Sequence, residues 1–140
     1  MRLARAKATL MRTCFGVAWT ALALAVGGCA AVEPIEDVTN APVVAARGKT
    51  VAPGDVGTAI QRAGQSLGWQ VLVEAPGLFT GRRQLRHHLA VVEIEYDERA
   101  YSIRYRDSTN LEAKDGQIHP AYNQWIENLD KAIRAELDML

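Results

Sequence analysis

Residues 89–106 read LAVVEIEYDERAYSIRYR, and apolar and polar side chains alternate in two runs on either side of a polar turn. Alternation with a period of two is typical of a strand that buries one face. Closing the turn symmetrically predicts one register, in which Val92 pairs with Tyr105, Glu93 with Arg104, and Ile94 with Ile103. The apolar faces then coincide and opposite charges meet on the wet face, so this stretch predicts a β-hairpin.

Helical patterns flank the hairpin on both sides. Pro53-Gly54-Asp55 predicts a helix start with Asp55 as its N-cap, and Gly68 predicts where that helix ends. Pro120, after Ile118-His119, predicts the first turn of a second helix. The apolar stripe of this second helix is formed by Tyr122, Trp125, Ile126, Leu129, Ile133 and Leu137.

Two further strands are predicted between the first helix and the hairpin, over residues 69–74 and 78–85, with a break at Pro76-Gly77. Residues 107–117 are polar and predict a loop. The order of elements predicts a two-layer α+β domain. Its antiparallel sheet of three or four strands is covered by an N-terminal and a C-terminal helix.

The start of the chain has the organisation of a secretory signal peptide. Residues 1–12 carry four basic side chains and no acid, and residues 13–26 are 14 residues without charge. That run is shorter than the roughly 20 residues of a membrane-spanning helix. A permanent spanning anchor is therefore the less favoured alternative to a cleaved leader.

Val26-Gly27-Gly28-Cys29 follows this run and resembles the lipobox of bacterial lipoproteins. The resemblance implies that Cys29 takes up diacylglycerol and becomes the first residue of the mature chain, which would hold the protein on a bilayer. Ala30 after the cysteine favours the outer membrane. The alternative is ordinary cleavage near Ala30 or Ala31 and a soluble secreted factor.

These features divide the chain into a signal peptide (1–28), a flexible tether (29–53) and a periplasmic α+β domain (54–140). The tether is predicted from its Ala, Val and Pro content and from the lack of any sustained period. Four of the 16 basic residues lie in the leader, which leaves 12 against 16 acids and a net charge of −4 for residues 29–140. This charge argues against nucleic acid as a partner.

Three groups of charged side chains are candidates for sites of chemistry. His87 and His88 are adjacent, so on a strand they point to opposite faces and do not predict a metal site. Glu93 and Glu95 share a face, but arginines opposite them favour solvated ion pairs over a catalytic carboxyl with a raised pKa. Arg82, Arg83 and Arg86 could meet an acidic lipid or polysaccharide, although a charged edge strand is the simpler interpretation.

The richest polar and aromatic set lies where the last strand ends and the last helix starts. It consists of Ser108, Asn110, His119, Tyr122, Asn123 and Trp125. These residues could be structural, or they could line a small groove for a peptide or glycan. A hydrolase using Ser108 and His119 is the alternative, but no glycines of a nucleophile elbow flank Ser108.

A longer pattern resembles a group of small proteobacterial lipoproteins. It runs Y-x-I-x-Y-x-x-S-x-N-L from Tyr101 and I-H-x-x-Y-N-x-W from Ile118, after a helix and a Gly-Trp strand. The resemblance covers about residues 55–134 and implies an envelope location and a fold, but no reaction. The sequence thus favours a lipid-anchored, non-catalytic binding or scaffolding module without a cofactor or metal, whose partner is an envelope protein or a glycan. An envelope-modifying hydrolase and a soluble secreted factor are the alternatives.

Overall fold

The computed structural model describes residues 31–140, so the predicted leader and Cys29 lie outside the described part of the chain. A short 3-10 helix spans Ala46–Gly48. In chain order the other elements are β1 (Glu33–Pro34), β2 (Val38–Pro42), α1 (Pro53–Ser66), β3 (Trp69–Ala75), β4 (Leu78–Leu85), β5 (His88–Tyr96), β6 (Ala100–Thr109), β7 (Gln117–Ile118) and α2 (Pro120–Asp138).

The main sheet is antiparallel and has the strand order β2-β6-β5-β4-β3. The β5–β6 hairpin has the predicted register, with Val92 paired to Tyr105, Glu93 to Arg104, and Ile94 to Ile103. The register shifts at a β-bulge between Val91 and Val92. Past this bulge β6 extends to Thr109, into the stretch that was predicted as loop. The two α-helices and the antiparallel sheet confirm the α+β class.

The expectation of three or four strands was wrong. The main sheet has five, and β1 pairs with β7 in a separate two-stranded sheet that the two-layer prediction did not include. Both additional N-terminal strands come from residues 29–53, which were predicted as a flexible tether. Residues 33–45 are instead part of the fold, and Ala41 and Ala45 are buried.

Prolines explain why this segment looked like a linker. Pro34 lies in the two-residue strand β1, and Pro42 is the last residue of the edge strand β2. A proline at such a position removes no hydrogen bond from the interior of a sheet. Side-chain and backbone bonds reinforce the pairing: the Asn40 amide donates to Ser102 Oγ (3.0 Å), and the Val43 amide donates to the Arg99 carbonyl (2.8 Å).

The helix ends follow the predicted pattern with one correction. Ala52 is the N-cap of α1, without a side-chain bond, and Asp55 lies inside the first turn, where a carboxylate still suits the helix dipole. Gly68 follows the helix with φ +78°, a conformation that glycine adopts without strain. His119 caps α2, because its Nδ1 accepts the Ala121 N–H (3.1 Å).

Both helices contribute to one core against the face of the sheet that carries Ala90, Val92 and Ile94. The predicted stripe of α2 is buried along its whole length, from Tyr122 to Leu137. Close approach of α1 to β3 depends on Gly64. A Cβ atom there would lie 2.5 Å from Val71 Cγ2 and 3.4 Å from Trp69 Cβ.

We expect Gly64→Ala to lower the free energy of unfolding by about 1–3 kcal/mol, because overpacking outweighs the gain in helix propensity. Gly54→Ala is the matched control in the same helix, since nothing lies within 4 Å of its Cβ position. The control should be neutral or stabilise by up to about 1 kcal/mol. Urea denaturation of both variants checks this, and equal stabilisation would contradict the close α1–β3 contact.

Candidate functional site

Ser108 and Asn110 lie at the end of β6 and just beyond it, and both make local structural bonds. The Ser108 hydroxyl is 2.9 Å from the Tyr105 hydroxyl, and the Ser108 amide donates to Asp107 Oδ1 (2.8 Å). Among the described residues, no hydrogen bond joins Ser108 to His119. The Ser108 side chain is therefore bonded within its own strand, to Tyr105.

Asn110 connects the end of β6 to the turn between β4 and β5. It adopts φ +57°, its Nδ2 donates to the His87 carbonyl (2.7 Å), and its own carbonyl lies 2.7 Å from His88 Nδ1. Asparagine tolerates this left-handed conformation better than most residues, which explains the residue type here. Asn110 thus acts as a structural connector between two loops.

The histidines come together in part. The rings of His88 and His119 stack with centroids 6.0 Å apart, while His87 is exposed on the neighbouring turn. Across residues 31–140, no group of three or more His, Cys, Asp or Glu side chains is arranged to hold a metal ion. In the described part of the chain, the ring beside His88 is therefore that of His119, the N-cap residue of α2.

Asn123 binds the N-terminal segment to α2. Its Oδ1 accepts the Glu36 amide (3.1 Å), and its Nδ2 donates to the Pro34 carbonyl (2.8 Å). The Ile35 amide donates to the Gly116 carbonyl (2.8 Å), so three successive residues are fixed. We call this arrangement the Asn123 clasp, and it accounts for a nearly buried amide side chain that composition alone could not assign.

Tyr122 and Trp125 belong to the core, as the structural interpretation predicted. Tyr122 packs edge-on against Tyr105, with ring centroids 5.5 Å apart. The Arg83 guanidinium lies 4.7 Å from the centroid of the Trp125 ring, and partial burial lowers its pKa. A cation over an indole face is a favourable contact that replaces part of the lost hydration.

Two buried tyrosines differ in how their hydroxyl groups are satisfied. Tyr101 donates to Asp130 Oδ1 (2.6 Å), whereas the Tyr122 hydroxyl is buried without a hydrogen-bond partner among the described residues. Burial raises the pKa of both hydroxyls, and the bond to Asp130 adds to the effect at Tyr101. Both therefore stay protonated at neutral pH.

Two carboxylates on the outer face of the sheet form ion pairs, whereas Glu93 has no basic side chain within 4 Å among the described residues. Arg104 Nη1 lies 3.0 Å from Glu95 Oε2, and Arg106 Nη1 lies 2.8 Å from Glu74 Oε1 on β3. A hydrogen bond with Thr80, together with the Arg106 contact, lowers the pKa of Glu74. These groups are solvated charges, and their arrangement does not favour a carboxyl held neutral for acid catalysis.

A groove of about 560 Å³ lies beside the start of α2. Its polar lining includes Glu33, Glu36, His119, Asn123, Gln124 and Glu127. Asn123 is already bonded within the clasp, and His119 already caps the helix. The six residues singled out in the sequence therefore hold this end of the domain together, and only some of them border an open surface.

The three arginines do not form one patch. Arg82 is exposed on the outer face, Arg83 points toward the helices, and Arg86 lies in the turn with φ +55°. Sequence reasoning also missed the exposed apolar edge of β3, where Leu72 is 54% and Val73 65% exposed. The sequence signal for this apolar edge was the run Val71-Leu72-Val73, which contains no charged residue.

We expect Asn123→Leu to lower the free energy of unfolding by about 1–3 kcal/mol, since it removes two part-buried hydrogen bonds worth about 0.5–1.5 kcal/mol each. Amide hydrogen exchange at Glu36 should accelerate more than exchange in the β5–β6 hairpin. Gln124→Leu is the control, because Gln124 is exposed on the next position of the same helix. Unchanged protection at Glu36 in the Asn123 variant would show that the clasp does not hold the segment.

The two tyrosines should respond oppositely to loss of the hydroxyl. Tyr101→Phe removes a bond to a carboxylate and should cost about 1.5–3 kcal/mol. Tyr122→Phe removes a buried hydroxyl without a partner and should leave stability unchanged or higher. Denaturant unfolding at neutral pH compares the two, and an equal loss in both variants would mean that Tyr122 has a partner of its own.

No helix within residues 31–140 is long and apolar enough to span a membrane. The chain matches no family model, no curated protein and no solved structure. The likeness to small proteobacterial lipoproteins therefore remains a prediction from the sequence motifs.

Proposed function

We propose that this chain is a lipid-anchored protein of the bacterial cell envelope, which acts as a non-catalytic binding or scaffolding module. The basic leader, the short uncharged run and Val26-Gly27-Gly28-Cys29 support the anchor. Ala30 favours the inner leaflet of the outer membrane, with the domain facing the periplasm. In this proposal Cys29 carries the lipid.

The observation that carries the proposal is the position at which the fold begins. Glu33 already pairs with Ile118, only four residues after Cys29. Four extended residues span at most about 14 Å. A lipid on Cys29 would thus hold the domain against the bilayer surface, and not at the end of the 25-residue tether that the sequence suggested.

This short connection selects which end of the domain would face the membrane. Residues 33–36 lie beside the start of α2 and beside two loops, at residues 86–88 and 110–117. A hydrogen bond between Asn110 and His87 joins the two loops, and one between Ile35 and Gly116 joins residues 33–36 to the second loop. We call this the entry end. It carries two exposed apolar side chains, Val32 and Leu85, which suit a location next to lipid.

A binding role fits the remaining surface better than catalysis does. The candidate polar side chains serve as caps, connectors and the clasp, and Glu95 and Glu74 on the outer face of the sheet pair with arginines. The edge strand β3 instead has backbone N–H and C=O groups on its open side and exposed apolar side chains. These backbone groups can pair with another extended segment, and the apolar side chains can pack against it. We therefore assign recognition to the sheet edge and anchoring to the N-terminus.

Cys29→Ser should abolish incorporation of labelled palmitate and move the protein from the membrane fraction to the periplasmic fraction. Cys14→Ser is the matched control, since it removes the only other cysteine and should keep both label and membrane association. Metabolic labelling and fractionation of intact cells measure both. If Cys29→Ser remained labelled and in the membrane fraction, the anchor would be wrong.

A further inference from the structure

The two edges of the main sheet differ in how open they are. At the β2 edge, Asn40 has φ +49°, Pro42 lacks an amide hydrogen, and the register is broken between Val38 and Ala41. Such features prevent another strand from pairing there. The β3 edge has none of them between Trp69 and Val73, and its only irregularity comes at the end, between Val73 and Ala75.

Strand β3 also lacks the charges that usually protect an edge. Its sequence is WQVLVEA, with a single ionised residue, Glu74. Leu72 and Val73 are more than half exposed, on the outer and inner faces respectively. Along such a strand, alternate residues direct their N–H and C=O groups away from β4, and no described residue pairs with them.

We infer that the occupant of this edge is a second copy of the same chain, paired through antiparallel β3 strands about a two-fold axis at Leu72. The side chains are self-complementary in that register. Leu72 faces Leu72, Val71 faces Val73, and Gln70 faces Glu74 of the other copy. The two sheets then join into one ten-stranded sheet, and apolar contacts form on both faces.

Charge placement favours this register. A parallel arrangement would set the two Glu74 carboxylates next to each other, whereas the antiparallel one sets each beside Gln70 of the other copy. Gln70 pairs with Arg82 on β4, and Arg82 has no carboxylate within 4 Å among the described residues. In the dimer, Glu74 and Arg82 of the second copy lie two strands, about 10 Å, apart along the backbone.

Long side chains can bridge that spacing on this sheet. Arg106 on β6 already reaches Glu74 on β3 across two intervening strands, with the two atoms 2.8 Å apart. In the dimer Glu74 would therefore lie between Arg106 of its own copy and Arg82 of the other. The dimer adds a cation to a carboxylate whose charge the fold already stabilises.

Cysteine cross-linking of the full chain in detergent tests the contact. A short bis-maleimide should join most Leu72→Cys chains into covalent dimers, because the two-fold axis places this residue opposite itself. Leu85→Cys is the control, since Leu85 is similarly exposed at 48% but lies away from the β3 edge. The wild-type chain reports any reaction of the native cysteines. Equal dimer yields in all three would overturn the inference.

A charge reversal tests the register. Arg82→Glu should weaken self-association about tenfold, equivalent to about 1.4 kcal/mol, because it opposes Glu74 with a like charge. Circular dichroism checks that the variant is folded. Dimerisation equal to that of the wild-type chain, or a monomer at every concentration of wild-type chain, would contradict the inference. The result is independent of the lipid anchor, which the Cys29→Ser experiment tests separately.

Discussion

Ile94 and Ile103 face each other across the β5–β6 hairpin, and neither has any exposed surface. Their pairing fixes which side of every strand faces inward, because a slip of one residue would turn all apolar side chains outward. The remaining elements then follow. β4 and β2 add to the two sides of the hairpin, and both helices cover the face that Ile94 and Ile103 define.

This constraint explains which parts of the fold the sequence could predict. The hairpin, β4 and the stripe of α2 each carry their own periodicity, so local pattern and tertiary burial agree. Strand β2 has no such pattern. Its residues are held by Ser102 and Tyr101 on β6, about 60 positions away, and the two prolines at 34 and 42 made the segment resemble a linker. Non-local pairing of a short edge strand leaves little trace in local sequence.

The candidate site was predictable in location but not in role. Ser108 lies near the end of β6 and Asn123 in the first turns of α2, and the His119 amide donates to the Leu111 carbonyl (2.8 Å). What each amide or imidazole does depends on backbone groups supplied by other segments, such as the His87 carbonyl and the Glu36 amide. Those partners lie 23 and 87 residues away, so no spacing rule could have identified them. The uncharged run in β3 is visible in the sequence, but its position at the edge of the sheet is known only from the strand order.

The Asn123 clasp affects the order in which parts of the chain can fold. The chain emerges from its N-terminus during synthesis, yet residues 33–42 find their partners in β6, β7 and α2. Residues 33–42 are therefore synthesised before their partners, and they can pair with them only when nearly the whole polypeptide has been made. Loss of the final helix would remove the bonds from Asn123 to Pro34 and Glu36, which lie 89 and 87 residues before it in the sequence.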